Sequence, residues 1–402
     1  MQSNEQARNL LKFIEKSPSP FHAVEEVKQK LIAVGFKELS ERKCWPVFKP
    51  SEKYFFTRNS SSIIAFHIGS KYKPGNGFSI IAAHTDSPCL KVKPISKIVT
   101  KNYLQIGVQT YGGGLWHTWF DRDLSVAGRV IVEENGLKER LVKIDRIPTL
   151  AIHLDRSVNE GFNFNKESNF VPIFSLGCAD EKSKNHHEQF LQLLAEELKV
   201  QSNQILDFEL CLYDTQAPNF GGLNNEFIQS ARLDNLLMSY IAMESFMQSA
   251  SNNEQENITM TALFDNEEVG SSSAYGAGSN LLKVSLERIL ESLECQKHFH
   301  ETIQRSYLIS ADCAHAIHPN YSDKHEQNHA PRLNEGIVIK VNANQRYATT
   351  SLTSSIFKQI ANKNNIPFQE FVVKNDSPCG STIGPILSTL IGIRTIGIEL
   401  IL

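Results

Sequence analysis

Thr259-Met260-Thr261-Ala262-Leu263-Phe264-Asp265-Asn266-Glu267-Glu268-Val269-Gly270 is the stretch on which the reading of this chain turns. Its first six residues are apolar or β-branched and predict a buried strand. The strand runs into three carboxylates within four residues, Asp265, Glu267 and Glu268, before Gly270 releases the chain into a small-residue loop. Acids crowded at the end of a buried strand repel one another and lose hydration, and a cation held among them relieves both costs. A solvated strand-to-loop turn is the other account of the same pattern, because acidic turns are common.

The chain around this stretch is 402 residues long, beyond the roughly 250–300 residues that one hydrophobic core serves, so two domains are expected. Hydrophobic residues at 41% and charged residues at 21% describe an ordinary globular protein. A formal net charge of −3 provides no basic field for nucleic acid and no membrane-surface signature. The seven cysteines are scattered and none forms a CxxC pair, which points to buried thiols in a reducing compartment. The N-terminus has no apolar signal core, and no apolar run is long enough to span a bilayer, so the expected location is the cytoplasm.

Working outward, Ala7, Leu10, Leu11 and Ile14 predict a first helix stopped at Ser17-Pro18-Ser19-Pro20, and Val24, Val27, Leu31 and Val34 a second that ends at Gly35. Strands are predicted at Ser62 to His67 and Phe78 to Ala83, the second delivering His84-Thr85-Asp86-Ser87-Pro88. From Lys93 to Pro218 the texture is mostly β, with short alternating strands, a Gly112-Gly113-Gly114 turn and one convincing helix from about His187 to Leu198. Residues 219–402 return to alternation, with helices near Glu226–Ser249, Ser279–Leu293 and Thr353–Lys363. Strands are expected at Tyr307–Ala311, Gly336–Val341, Phe371–Val373 and Thr395–Leu402. The fold class read from this alternation is α/β with a largely parallel sheet, its two parts (1–92 and 219–402) separated by the β-rich insert 93–218.

Acidic or imidazole residues fall at strand ends or helix starts at His84, Asp234, Glu267 with Glu268, and Asp312. Such positions converge on one edge of an α/β sheet. His84 and Asp86 lie two apart, so in an extended segment both face the same way and a carboxylate can fix the imidazole for a metal. Taken alone, His84 reads equally as a satisfied buried histidine, and Asp234 as a charge interacting with a helix dipole. His315, His318, His325 and His329 form a histidine-rich stretch that Pro319 and Pro331 break up, so a surface loop accounts for most of them. There is no HExxH, no GxSxG, and no dinucleotide fingerprint.

Six segments together carry a resemblance: Ala83-His84-Thr85-Asp86-Ser87-Pro88, Arg232-Leu233-Asp234-Asn235, Asp265 to Gly270, Ala311-Asp312-Cys313-Ala314-His315-Ala316, Asn344-Gln345-Arg346-Tyr347-Ala348-Thr349, and Pro378-Cys379-Gly380-Ser381-Thr382-Ile383-Gly384-Pro385. In order and spacing they resemble the M18 family of zinc metallopeptidases, of the aspartyl aminopeptidase type. The resemblance implies a peptidase domain with an α/β/α sandwich, interrupted by a dimerisation domain at 93–218, and assembly as a homo-oligomer, a dodecamer in the family. It implies two zinc ions, one held by His84 and Asp312, with Asp234 bridging to a second bound by Glu268. Glu267 would be the general base and Asp86 would orient His84. Lys340, Tyr347 and His315 match substrate-binding positions, and His153 a histidine that reaches a neighbouring subunit's site. The implied substrates are peptides with an N-terminal Asp or Glu, with neither nucleic acid nor membrane as partner.

Lys340 also stands out unaided, because it follows the apolar Ile337-Val338-Ile339, where a lone ammonium needs an anion; an exposed strand-end lysine is the plainer account. The family pattern continues past its last strand to a Met-His-Ser segment, whose histidine completes the second zinc site, and to a closing helix. Here no histidine follows His329. The expectation is a second zinc site short of one ligand. The alternatives are a catalytically impaired chain that serves as an assembly subunit, or a one-metal hydrolase using only His84, Asp234 and Asp312.

Overall fold

The computed structural model describes residues 2–144, 163–177, 184–252 and 254–402. The chain divides into two compact units, Met1–Ala23 with Ser87–Ala231, and Val24–Asp86 with Arg232–Leu402. The divisions fall after Asp86 and Ala231 rather than after residues 92 and 218. The first 23 residues, carrying helix Gln2–Lys16, belong with the β-rich unit.

The second unit is an α/β/α sandwich built on a nine-stranded sheet. Its order is Lys37–Glu38, Lys53–Arg58, Ser62–Ile68, Ile258–Phe264, Phe78–His84, Tyr307–Ala314, Arg394–Ile401, Ile337–Lys340 and Phe368–Phe371. The four middle strands, Ile258–Phe264 to Arg394–Ile401, run parallel. Antiparallel pairings flank them on both sides, but the two edge pairs are again parallel, so the sheet is largely parallel, as expected, with antiparallel pairings between. All seven residues of Ile258–Phe264 are buried, as a strand covered on both faces requires. Alternate residues (Ile64, Phe66 and Ile68; Ile80 and Ala82; Met260, Ala262 and Phe264) form one core with Leu282, Leu286 and Ile289 of helix Leu281–Ser292 and Leu387 of helix Ile383–Ile391. Helix Leu233–Ser249 packs on Phe78–His84, Tyr307–Ala314 and Ile258–Phe264.

Three local readings differ from the structure, the first being the strand expected at Phe371–Val373, which runs instead over Phe368–Phe371. The helix expected from Glu226 starts at Leu233, because Phe227–Gln229 is a strand paired with Asn219–Gly221. Helix Ile383–Ile391 was not among the expected elements; Pro385 falls in its first turn, where proline loses no hydrogen bond. Gly384 is also required there, as a Cβ would come within 2.9 Å of the Ser310 Cβ.

The first unit is mostly β: a six-stranded sheet in the order Leu137–Lys143, Leu124–Glu133, Ile205–Asp214, Cys89–Thr100, Tyr103–Tyr111 and Ile173–Leu176, antiparallel throughout. Phe190 and Leu194 of helix Glu188–Leu198 join Leu90, Val130, Leu210 and Trp116 in its core. Among the described residues no helix is long and apolar enough to cross a membrane.

Candidate metal centre and active site

Parallel strands end on the same edge, and there the structure brings together the residues picked out in the sequence. His84 closes Phe78–His84, in register with Phe264, and is 1% exposed. Its carbonyl accepts the Ser239 hydroxyl at 2.6 Å, which ties the strand end to helix Leu233–Ser249. Thr85 then donates its backbone N–H to the Phe264 carbonyl at 2.7 Å, holding the two strand ends side by side.

Asp86 is fully buried and joins two parts of the site. Its carboxylate lies 3.3 Å from His84 Nδ1, and its carbonyl 3.1 Å from the same nitrogen. The same carboxylate accepts the backbone N–H groups of Glu267 and Glu268, each at 3.1 Å. One side chain therefore orients the imidazole and anchors the acidic turn.

The three acids of that turn have separate fates. Asn266 at φ 64° and Gly270 at φ 93° carry the chain through left-handed geometry. Asp265 is spent within the turn: its N–H donates to Ser62 Oγ at 2.9 Å and its carboxylate accepts the Asn266 N–H at 2.8 Å. Glu267 projects toward His84, its Oε2 3.6 Å from Nε2. Asp312 Oδ1 lies 3.4 Å and Asp234 Oδ1 3.6 Å from the same nitrogen. Asp234 has extended backbone (φ −79°, ψ 109°) rather than helical, which argues against a simple dipole charge. Asn235 beside it donates to the Ala311 carbonyl at 3.1 Å, linking this turn to the strand that bears Asp312.

One donor atom from each of His84, Asp234 and Asp312 lies within 4.8 Å of the others. Imidazole nitrogen and carboxylate oxygens are the donor types that zinc takes, and the set fits such an ion. The electrostatics agree. Burial, with Asp312 beside it, pushes Asp234 up to about 6. Burial raises Glu267 to about 7 against the pull of His84, and Glu268 to about 8 against the same pull. For His84, burial works against the imidazolium, but Asp312 and Asp86 prevail and hold it well above its usual range. Carboxyls crowded and buried in this way resist ionising together, a cost that a bound cation relieves. Glu268 stands next to this three-residue donor group and is not one of its members.

Lys340 is neither exposed nor alone. It is 4% exposed, and its ammonium lies 2.8 Å from Glu399 Oε2, 3.9 Å from the Phe371 ring centre and 4.9 Å from that of Tyr347. The anion expected of a ligand is supplied within the chain. Tyr347 is buried, its phenol pushed up by burial and by Cys379, whose thiol donates to its oxygen at 3.6 Å. His315 packs edge-on against Phe371 at 5.6 Å and beside His325 at 5.0 Å; burial and then Lys340 lower its pKa. His318 accepts the Asn320 N–H and His329 pairs with Glu326, as loop histidines do. His153 lies outside the described residues.

Sequence reasoning missed Glu399. Flanked by Ile398 and Leu400, it carries no motif, and its place follows from strand register alone: it opposes Asp312 on one side and Val338 on the other. It also missed Ser239 and Asn235 as supports, for which the small polar positions one helical turn apart were the available signal.

Residues 13–400 match the family described as "Aminopeptidase I zinc metalloprotease (M18)". "Aspartyl aminopeptidase" of Dictyostelium discoideum is 48% identical over 435 residues, covering 98% of this chain and 90% of that protein. Among solved structures, "Cryo-EM structure of the Ape4 and Nbr1 complex" superposes with a TM-score of 0.95 at 47% identity, over 99% of this chain and 80% of that one. "Structure of S. cerevesiae mApe1 dodecamer" superposes at 0.86 with 27% identity, over 100% and 91%. A match over nearly the whole length, with the donor set in place, shows that the chain belongs to the M18 family of zinc metalloproteases and is an aminopeptidase.

Proposed function

We propose that the chain releases an N-terminal Asp or Glu from peptides by hydrolysis assisted by two zinc ions. The observation that carries this reading is the convergence of Asp234, Glu267 and Asp312 on one imidazole nitrogen, all within 3.6 Å. His84 and Asp312 would hold one zinc, Asp234 would bridge, and Glu268 would bind the second. Bound there, the metals would lower the pKa of a water and polarise the scissile carbonyl. Glu267, the carboxylate that faces the cluster without belonging to the donor group, accepts the water's proton and returns it to the leaving amine. Asp86 holds His84 and the Glu267–Glu268 backbone in place. Lys340, with Tyr347 and His315 around it, meets the substrate's acidic side chain, and His153 serves a neighbouring subunit's site.

The β-rich unit serves as the dimerisation domain of a homo-oligomer, in line with the dodecamer named for the Saccharomyces relative. The six described cysteines are thiols, which suits the reducing cytoplasm in which we place the protein. The test is Glu267→Gln, a near-isosteric change. Turnover of an N-terminal aspartyl substrate should fall by roughly 10²–10⁴ while bound zinc per chain stays as in the unsubstituted protein. Loss of zinc in step with activity would make Glu267 a ligand and end its assignment as base.

A further inference from the structure

Tyr347 and Cys379 come from separate loops and meet beside Lys340. Tyr347 closes the turn that follows strand Ile337–Lys340, and Cys379 lies in the loop between strand Phe368–Phe371 and helix Ile383–Ile391. Both pack in one cluster with Val338 and Phe371. Tyr347 is 6% exposed, and the Cys379 thiol is free and half-buried.

The two loops are joined on either side of that thiol. Asn342, buried at the start of the turn, accepts the Asn344 N–H at 2.9 Å and donates its side-chain amide to the Cys379 sulfur at 3.4 Å. Arg346 Nε–H donates to the Cys379 carbonyl at 3.2 Å, and the Ser381 hydroxyl donates to the Arg346 carbonyl at 2.9 Å. Held by this frame, the thiol donates to the Tyr347 phenol oxygen at 3.6 Å. A thiol can accept and donate at once, so it takes a hydrogen from Asn342 on one side and gives its own on the other.

Burial keeps the phenol protonated. With its oxygen accepting from sulfur, the phenol's own hydrogen is left over, and no acceptor for it is found among the described residues. A buried donor without an acceptor carries a cost that a ligand relieves. The Lys340 ammonium lies 4.9 Å from the centre of the same ring, and an anionic side chain drawn to that ammonium supplies the acceptor.

We propose that Cys379 is a positioning residue for substrate binding: backed by Asn342, its thiol fixes the Tyr347 phenol with the O–H turned toward the substrate's acidic side chain. The inference rests on the reading above that Tyr347 contacts the substrate. A residue that only held the loops together would affect every substrate alike, whereas one acting through the phenol affects only substrates that accept its hydrogen.

The experiment measures KM and kcat for peptides with N-terminal Asp or Ala on the zinc-loaded full chain. Independently of turnover, it also measures the Kd of free L-aspartate. Cys379→Ala should raise KM for the Asp peptide, and the Kd of L-aspartate, by about 3–10-fold, with kcat within about twofold of the parent. The Ala peptide should be unaffected. Cys379→Ser keeps both hydrogen-bonding roles on a shorter arm and should recover most of the loss. In a Tyr347→Phe background, adding Cys379→Ala should change nothing further, as expected of two residues that act as one unit. Should circular dichroism show the Ala variant unfolded, Cys379→Val, which refills the space without a donor, takes its place. Equal losses for the Asp and Ala peptides overturn the proposal, as does a loss of the same size in the Tyr347→Phe background. It is overturned too if Tyr347→Phe weakens Asp binding while Cys379→Ala does not, and the reading of Tyr347 then survives. If Tyr347→Phe itself leaves Asp binding unchanged, that reading fails and this inference falls with it.

Discussion

Asp86 shows how much of this site is set by one side chain. A carboxylate with no exposure that serves an imidazole and two backbone N–H groups can be replaced by no neutral isostere without loss. In Asp86→Asn the amide has one acceptor oxygen where two were in use, and its NH₂ would face an N–H. The His84 ring and the acidic turn both lose their common anchor. Zinc affinity should fall about 10–100-fold, the usual weight of a group behind a metal ligand, with the far-ultraviolet spectrum unchanged. Zinc titration in competition with a chelator measures it, and an affinity within about twofold of the parent would remove Asp86 from the positioning role. At this scale the sequence was legible wherever spacing carried meaning: His84 and Asp86 two apart, Glu267 and Glu268 after a buried strand. Glu399 was not, because a lone acid between Ile398 and Leu400 acquires a partner only through pairing with distant strands.

Among the elements, the buried strands make the site possible and carry their own titratable liability. His67 lies in Ser62–Ile68 with no exposure, opposite Thr259 on one side and Lys53 on the other. Burial, and after it Lys53, lower its pKa below 6.5. A base depressed in the folded state binds fewer protons folded than unfolded. The stability it contributes is present above 6.5 and is lost as pH falls from there toward the folded value. His67→Leu should therefore flatten the decline in stability between about pH 7.5 and about pH 5.5 relative to the parent, read as the urea midpoint at each pH. An equal decline in both proteins would show that His67 does not titrate in that window. The strands themselves were the most legible elements, since Ser62–Ile68, Phe78–His84 and Ile258–Phe264 are runs of mainly apolar and β-branched residues. The start of helix Leu233–Ser249 was not, because Phe227 and Ile228 extend its apolar pattern backward while tertiary pairing makes them a strand. Parallel and antiparallel direction at the sheet's flanks was likewise invisible, being decided by connections rather than by local pattern.

At the scale of the molecule, the candidate site falls within one of the two units. The donor group His84, Asp234 and Asp312, and with it Glu267 and Glu268, belongs to the unit formed by Val24–Asp86 and Arg232–Leu402. A ligand that binds only one folded unit stabilises that unit by mass action, by about 4 kcal/mol when present at a thousand times its Kd. Calorimetry of the metal-free chain should therefore show two transitions, of which zinc raises one and a chelator lowers it again. The assignment can be made without the metal. Leu194 is fully buried in the core of the β-rich unit, and Leu194→Ala should cost that unit about 2–5 kcal/mol. It should lower the transition that zinc leaves unmoved, and the zinc-sensitive one should stay within a degree or so of the parent. If Leu194→Ala instead lowers the zinc-sensitive transition, or if zinc raises both equally, the units unfold as one. The burial of the β-rich core would then contribute directly to holding the metal ligands in place, and changes far from the site would be expected to alter metal affinity as well as assembly.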